Sequence, residues 1–219
     1  MSDRARILVV DDHPLVREGL AARINAQPGL EVCGEAADVD EALALHDRIH
    51  PDLVIIDLAL RTGHGLDLIK TIGQRKPSTK MLVISAHDES VFAERVIRAG
   101  ALGYVSKQEA QEQVLDAIST VLRGERYVSD RLTRQLVGSA LDFGASKANG
   151  VEGLSDRELE IFELIGRGKS TRAIADELHL SIHTIETHRE NIRAKLKLRN
   201  GSELVRSAVQ WVLESRSGS

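Results

Sequence analysis

Five short aliphatic and β-branched runs punctuate the first 123 residues, at 7–10 (ILVV), 31–33, 53–56 (LVII), 81–84 (MLVI) and 104–105. Between them apolar residues recur at helical spacing, as in Leu43, Leu45 and Ile49, then Leu66, Leu68, Ile69 and Ile72, then Val114, Leu115, Ile118, Val121 and Leu122. Strand and helix patterns alternating in series imply crossover connections, which build parallel sheets covered by helices on both faces. LVII and MLVI are apolar throughout, as strands buried on both sides are. The expectation is an α/β unit: a five-stranded, doubly wound parallel sheet in the flavodoxin-like order 2-1-3-4-5. Its ligand crevice should lie beside strands 1 and 3, where the strand order reverses.

Beyond residue 123 the pattern changes. A helix-compatible segment covers 129–143, and the Gly/Ala/Ser-rich GASKANGVEG (144–153) reads as a tether. From Leu154 the spacing is purely helical, predicting a small all-α domain. Ser155 and Glu158 form a capping box opening a helix to about Arg167. A short helix over 171–178 follows, then one capped by Ser181 and running to about Leu196, then a last helix over 202–213. Ile182, Ile185, Ile192 and Leu196 are placed to face the core, with His183, Glu186, Thr187, Glu190 and Arg193 or Ala194 facing outward. Trp211 is expected in the core. The resulting division is 1–123, a linker helix and tether at 124–153, and 154–219.

Charge separates these parts. The whole chain has a net charge of −4, yet residues 165–199 hold eight Lys/Arg against four acids. A basic surface on an otherwise acidic chain points to a polyanionic partner for the C-terminal domain. Cys33 is the only cysteine, which excludes an intrachain disulfide and a thiolate zinc site. No apolar run approaches the ~20 residues that span a bilayer, and the N-terminal run is too short for a signal peptide. A cytoplasmic protein with no membrane partner is expected.

The residues directly following the strands carry chemistry. Strand 1 ends in Asp11 and Asp12, strand 3 in Asp57, strand 4 in Ser85 and Ala86, and strand 5 leads to Lys107. In a parallel sheet these positions share the carboxyl edge, so three carboxylates converge on the crevice. A single strand-end Asp is most simply a helix cap; all four positions together are not. Such a cluster repels itself, and one divalent cation with one ammonium brings it near neutrality. Hard oxygens at an open site suit Mg²⁺, and a carboxylate beside Mg²⁺, Lys and a hydroxyl is fit to attack a phosphoryl group.

VVDDHPLVREGL, DLVIIDLAL, VISAH and GALGYVSK resemble the motif blocks of response-regulator receiver domains. The resemblance implies that Asp57 is the phosphoacceptor and that a sensor histidine kinase supplies the phosphoryl group. It implies that Asp12, Asp57 and the Ala59 carbonyl ligate Mg²⁺, with Asp11 acting through a metal-bound water. It assigns Lys107 to the phosphoryl oxygens, Ser85 to the hydroxyl that follows them, and Tyr104 to the switch aromatic. Leu60 and Arg61 stand where the family usually has Met-Pro, which leaves the loop conformation open because proline fixes φ. Gly65 matches, and Gln108 replaces a common proline.

The segment LSDRELEIFELIGRGKSTRAIADELHLSIHTIETHRENIRAKLKL resembles the LuxR-type helix-turn-helix domain, and with the receiver the chain is similar to NarL/FixJ-type regulators. Double-stranded promoter DNA with paired half-sites, a homodimer on phosphorylation and RNA polymerase are the implied partners. The residues expected at DNA are Lys169, Ser170, Thr171, His183, Thr184, Glu186, Thr187, His188, Arg189, Glu190, Arg193, Lys195 and Lys197. Thr184, Ile185 and His188 match the T-[VI]-x-x-H core, and the last helix is the family's dimer contact. Glu186 stands where some members carry a base-reading Lys. A Mg²⁺-dependent phosphohydrolase of the haloacid-dehalogenase type would need an Asp where Ala59 stands, so no turnover enzyme is expected. A small-molecule-sensing LuxR regulator would not present the Asp/Asp/Ser/Lys set, and a regulator independent of phosphate would not need it.

Overall fold

The computed structural model describes residues 4–87, 89–129, 133 and 150–217, and the chain divides into two compact units, Met1–Gly138 and Ser139–Ser219. The helix read over 129–143 and the tether read over 144–153 thus lie outside the described residues, apart from Ser129, Thr133 and residues 150–153, where Val151–Gly153 form a 3-10 turn instead of open tether.

Among the described residues of the N-terminal unit five strands alternate with five helices. They are β1 (Ala5–Val10), α1 (Pro14–Asn25), β2 (Leu30–Ala36), α2 (Val39–Ile49), β3 (Leu53–Ile56), α3 (Gly65–Arg75), β4 (Lys80–Ser85), α4 (Glu89–Ala99), β5 (Gly103–Ser106) and α5 (Ala110–Leu122). All strand pairs are parallel, in the order β2-β1-β3-β4-β5 that the alternating pattern predicts. The pleat sends Ile7, Val9, Leu53, Ile55, Leu82 and Ile84 to one face. There they join Leu20 and Ile24 of α1 and Val114, Ile118 and Val121 of α5 in one buried cluster. The alternate residues Leu8, Val10, Val54, Ile56 and Val83 are equally buried, which explains why no polar residue interrupts these runs. β2 is longer than its apolar run suggests. It is an edge strand, and Ile7 pairs Val32 while Leu8 pairs Gly34, so Cys33 is the extra residue of a bulge.

Among the described residues of the C-terminal unit are four helices, α6 (Asp156–Gly166), α7 (Thr171–Glu177), α8 (Ile182–Lys195) and α9 (Gly201–Ser217), preceded by a 3-10 turn at Val151–Gly153. Serines open three of them. Ser155 forms the full capping box with Glu158, Ser170 accepts from Ala173 N, and Ser181 accepts from Thr184 N. α6 and α9 approach at Gly166, where a Cβ would lie 2.5 Å from the Ala208 carbonyl oxygen. The side of that contact is completed by Trp211, whose ring lies 5.5 Å from Phe162. One reading of the α8 stripe is corrected: Ile185 and Ile192 are buried, but Ile182 is 50% exposed. As the first residue after the cap it precedes the turn of helix that packs inward.

Candidate functional site

The sheet's carboxyl edge brings the strand-end residues together. Asp57 N donates to Val10 O at 2.8 Å, which sets the end of β3 against the end of β1. Asp11 and Asp57 are buried, and Lys107 Nζ lies 2.7 Å from Asp57 Oδ2 and 2.7 Å from Asp11 Oδ2. Lys107 is delivered by β5, and its own N–H donates to Ser85 O at 2.8 Å. Ser85 is fully buried, and its Oγ accepts from His87 N at 3.3 Å. Tyr104 is also buried, donating its hydroxyl to His87 O at 2.8 Å. Gly65 is required by this geometry: a Cβ there would stand 2.3 Å from the Asp57 carbonyl oxygen. Ala86 is exposed at the pocket's side of the β4–α4 loop.

Burial raises the Asp57 pKa above the ordinary carboxylate range, opposed by Lys107 and reinforced by the negative charge of Asp11. Lys107 is held above the usual ammonium value: burial disfavours its charge, but Asp57 and Asp11 together outweigh that. Oxygens of Asp11, Asp12 and Asp57 and a nitrogen of His13 lie within 4.8 Å of one another. Asp57 Oδ1 is buried with no hydrogen-bond partner among the described residues. An orphaned, buried carboxylate oxygen facing two more carboxylates fits a hard divalent cation that keeps waters of its own. Ala59 is fixed by a backbone bridge to His64 across the loop that follows Asp57.

Three participants were not legible as site residues. His13 Nδ1 lies 2.6 Å from Asp12 Oδ1 and 3.2 Å from Asp11 Oδ1; its only sequence signal is adjacency to Asp-Asp and to Pro14, which starts α1. His87 links Ser85 to Tyr104 through its backbone, which no side-chain motif marks. Asp38 is announced only as a helix cap, by Glu41 three residues on. It accepts from Glu41 N at 3.0 Å and also takes Arg61 Nη2 at 2.5 Å. Arg61 N donates to Ala37 O at 3.3 Å, and Val39 N to Thr62 O at 3.4 Å. The loop without its usual proline is therefore laced to the β2–α2 junction.

In the C-terminal unit the expected DNA-facing residues differ in exposure and in what they touch. His183, Glu186, Thr187 and Glu190 are exposed along one face of α8, with Ile182 at its head. Glu186 is held by Thr171 Oγ1 at 3.0 Å and lies 3.6 Å from Arg189 Nε. Ser170, Thr184 and Thr187 use their hydroxyls within the motif: the first caps α7, the second meets Ser181 Oγ at 2.7 Å, and the third donates to His183 O at 3.0 Å. Lys169 pairs with Glu177, and Lys195 Nζ lies 2.6 Å from Glu158 Oε2. Lys197 is exposed, at a φ of 56° just past the end of α8. His188 and Arg193 are half-buried, with His188 Nδ1 and Arg193 Nε buried and unpartnered among the described residues. On α9, Leu204 and Ala208 are buried, while Val205, Val209 and Leu213 form a separate exposed stripe.

Two family models match separate parts of the chain. Residues 7–119 match the family model described as response regulator receiver domain, and 152–208 that of bacterial regulatory proteins of the luxR family. The oxygen regulatory protein NreC of Staphylococcus carnosus is 36% identical over 210 residues, covering 94% of this chain and 97% of that protein. The NreC of Staphylococcus aureus strain MRSA252 is 37% identical with the same coverage. RcsB of Salmonella enterica serovar Typhimurium, solved on promoter rprA with the phosphomimetic BeF3-, superposes with a TM-score of 0.61 at 25% identity, covering 93% of this chain and 98% of that one. A LuxR-family two-component regulator from Aurantimonas sp. SI85-9A1 gives a TM-score of 0.58 at 36% identity, covering 64% of this chain and all of the other.

Proposed function

The chain belongs to the transcriptional response regulators that join a receiver domain to a LuxR-type DNA-binding domain, and on that premise we propose that Asp57 accepts a phosphoryl group from a sensor histidine kinase. The observation that carries this is Asp57 itself: buried, bonded to Lys107 through one oxygen, and orphaned at the other within a cluster of carboxylates.

An Asp57 oxygen forms the bond to phosphorus as the P–N bond to the donor imidazole breaks, and the departing nitrogen takes a proton. The Lys107 ammonium, shared between Asp57 and Asp11, turns to the incoming phosphoryl oxygens. Asp11, Asp12, Asp57 and the Ala59 carbonyl would hold Mg²⁺, which neutralises the charge gathered between carboxylate and phosphoryl group. The Ser85 hydroxyl moves to the phosphoryl group, drawing with it the backbone of His87 and so the hydroxyl contact of Tyr104. Absence of an Asp at Ala59 leaves no acid/base group to hasten hydrolysis, so the phosphorylated state persists as a signal rather than as an intermediate of turnover. A soluble cytoplasmic setting follows from the proposed kinase and DNA partners; no helix among the described residues is long and apolar enough to cross a membrane.

On DNA, the exposed face of α8 reads the major groove while Lys197, Arg189 and the backbone at the α7 and α8 caps meet phosphates. One module covers one half-site, so two copies bind, joined through the exposed stripe of α9, with RNA polymerase as partner at the promoter. Intact-mass analysis of the full chain with acetyl phosphate tests the phosphoacceptor. Wild type is expected to gain one phosphoryl group only with Mg²⁺, and Asp57→Asn none. Equal adduct on both proteins would refute the assignment.

A further inference from the structure

Residues just past α5 fold back on the outer edge of the sheet. Tyr127 pairs in parallel with Gly103 of β5: Tyr127 N donates to Leu102 O at 2.9 Å, and Tyr104 N donates to Tyr127 O at 3.0 Å. β5 is the terminal strand, so these two bonds satisfy backbone groups that its open edge leaves without a neighbouring strand. The approach needs Gly103, because a Cβ there would lie 2.9 Å from Tyr127 O and 3.1 Å from Tyr127 Cβ. The Tyr127 hydroxyl meets Gln113 Oε1 of α5 at 3.3 Å. Two residues on, Ser129 N donates to Glu89 Oε1 at 3.3 Å, and Glu89 is the first residue of α4.

Among the described residues the segment meets two supports of different kinds. Its inner support is β5 and α5, part of the packed core. Its outer support is the start of α4, directly after the loop that carries Ser85 and His87. That loop is tied to β5 by the Tyr104 hydroxyl on His87 O, and to α4 by the His87 ring, 4.8 Å from Phe92. A shift of this loop moves Glu89 relative to β5, and the long Ser129–Glu89 bond is the contact with least to lose.

Resting on the reading of Asp57 as phosphoacceptor, we infer that 125–129 is a strap whose outer end is held by Glu89 in the unphosphorylated protein and released when the β4–α4 loop closes on the phosphoryl group. The chain running on to the DNA-binding unit starts at this strap, so its release hands the state of Asp57 directly to the linker.

Hydrogen exchange on the full-length protein, with and without beryllofluoride and Mg²⁺, reads the strap locally. Peptides covering 125–129 are expected to exchange at least about threefold faster in the activated form, while β3 peptides stay unchanged. Glu89→Ala should give the fast exchange without activation and no further rise with it, yet still take the phosphoryl group on Asp57. Gly103→Ala, which displaces Tyr127, should do the same. Unchanged exchange at 125–129 in a protein whose Asp57 adduct is confirmed by mass would overturn the strap and leave the phosphoacceptor standing. Absence of the adduct overturns the phosphoacceptor and the strap with it.

Discussion

Burial lowers the pKa of His188 below the ordinary imidazole value, and the nearby Arg157 guanidinium adds to the effect. The unfolded chain therefore binds a proton at His188 that the folded unit resists. Stability falls as pH drops below the unfolded value near 6.5, and continues to fall until the folded pKa is passed. Glu158 behaves as a depressed acid. Burial opposes its charge, but Lys195 and the N–H of Ser155 outweigh it, so its contribution is present above pH 4.5 and is lost as pH falls through the lower folded value. Unfolding of this unit can be followed through Trp211, the chain's only tryptophan, which packs on Phe162. Trp-detected unfolding should lose stability in two steps, one below pH 6.5 and one below pH 4.5. His188→Leu should abolish the first step alone and Glu158→Gln the second alone. A single step that survives both substitutions would contradict this account. The same ion pair changes what Lys195 reports: its ammonium is engaged inside the unit, so Lys195→Ala should lower stability as well as DNA affinity. For Lys197, whose backbone N–H donates to Ala194 O but whose side chain is exposed and makes no ion pair among the described residues, the loss should fall on affinity.

The segments that the sequence made plain are those whose pattern has one physical solution. LVII and MLVI are apolar at every position because β3 and β4 are covered on both faces, and S-D-R-E opens α6 because its two side chains satisfy two backbone N–H groups. The pocket was equally legible, since Asp11, Asp12, Asp57 and Lys107 owe their meeting only to strand order. Contacts made by backbone groups were not legible: His87 and Tyr127 act through carbonyls and N–H groups that every residue type owns. Ile182 was misplaced because periodicity counts apolar residues without knowing where the neighbouring helix ends. Arg61 left its loop open, and the structure closes it through Asp38. That pair is 60% and 13% exposed, so the charge contributes little beyond the cap. Asp38→Ala, which loses both cap and clamp, should cost about 1 kcal/mol, and Arg61→Ala should cost less. Both tyrosines of the chain, 104 and 127, lie in the N-terminal unit, so tyrosine fluorescence during urea unfolding separates the two outcomes. Equal losses from the two substitutions would mean that the clamp, not the cap, holds the junction.

At the scale of the molecule, a chain of net charge −4 meets DNA through a small basic unit, so phosphate contacts must act against the charge of the rest. Affinity should fall steeply with salt, by a slope set by the number of phosphates neutralised. A single helix-turn-helix offers few such contacts, and the proposed joining of two copies through Val205, Val209 and Leu213 would multiply affinity by roughly 10²- to 10⁴-fold through effective concentration. The central claim, that the state of Asp57 sets DNA occupancy by pairing copies, is tested most directly by sedimentation of the full chain on DNA carrying one or two half-sites. With beryllofluoride and Mg²⁺, wild type should sediment as two copies on the paired site and bind it far more tightly than the single site, while Asp57→Asn should show neither gain. An activated wild type that binds a single half-site as tightly as the pair, and stays monomeric on both, would contradict it.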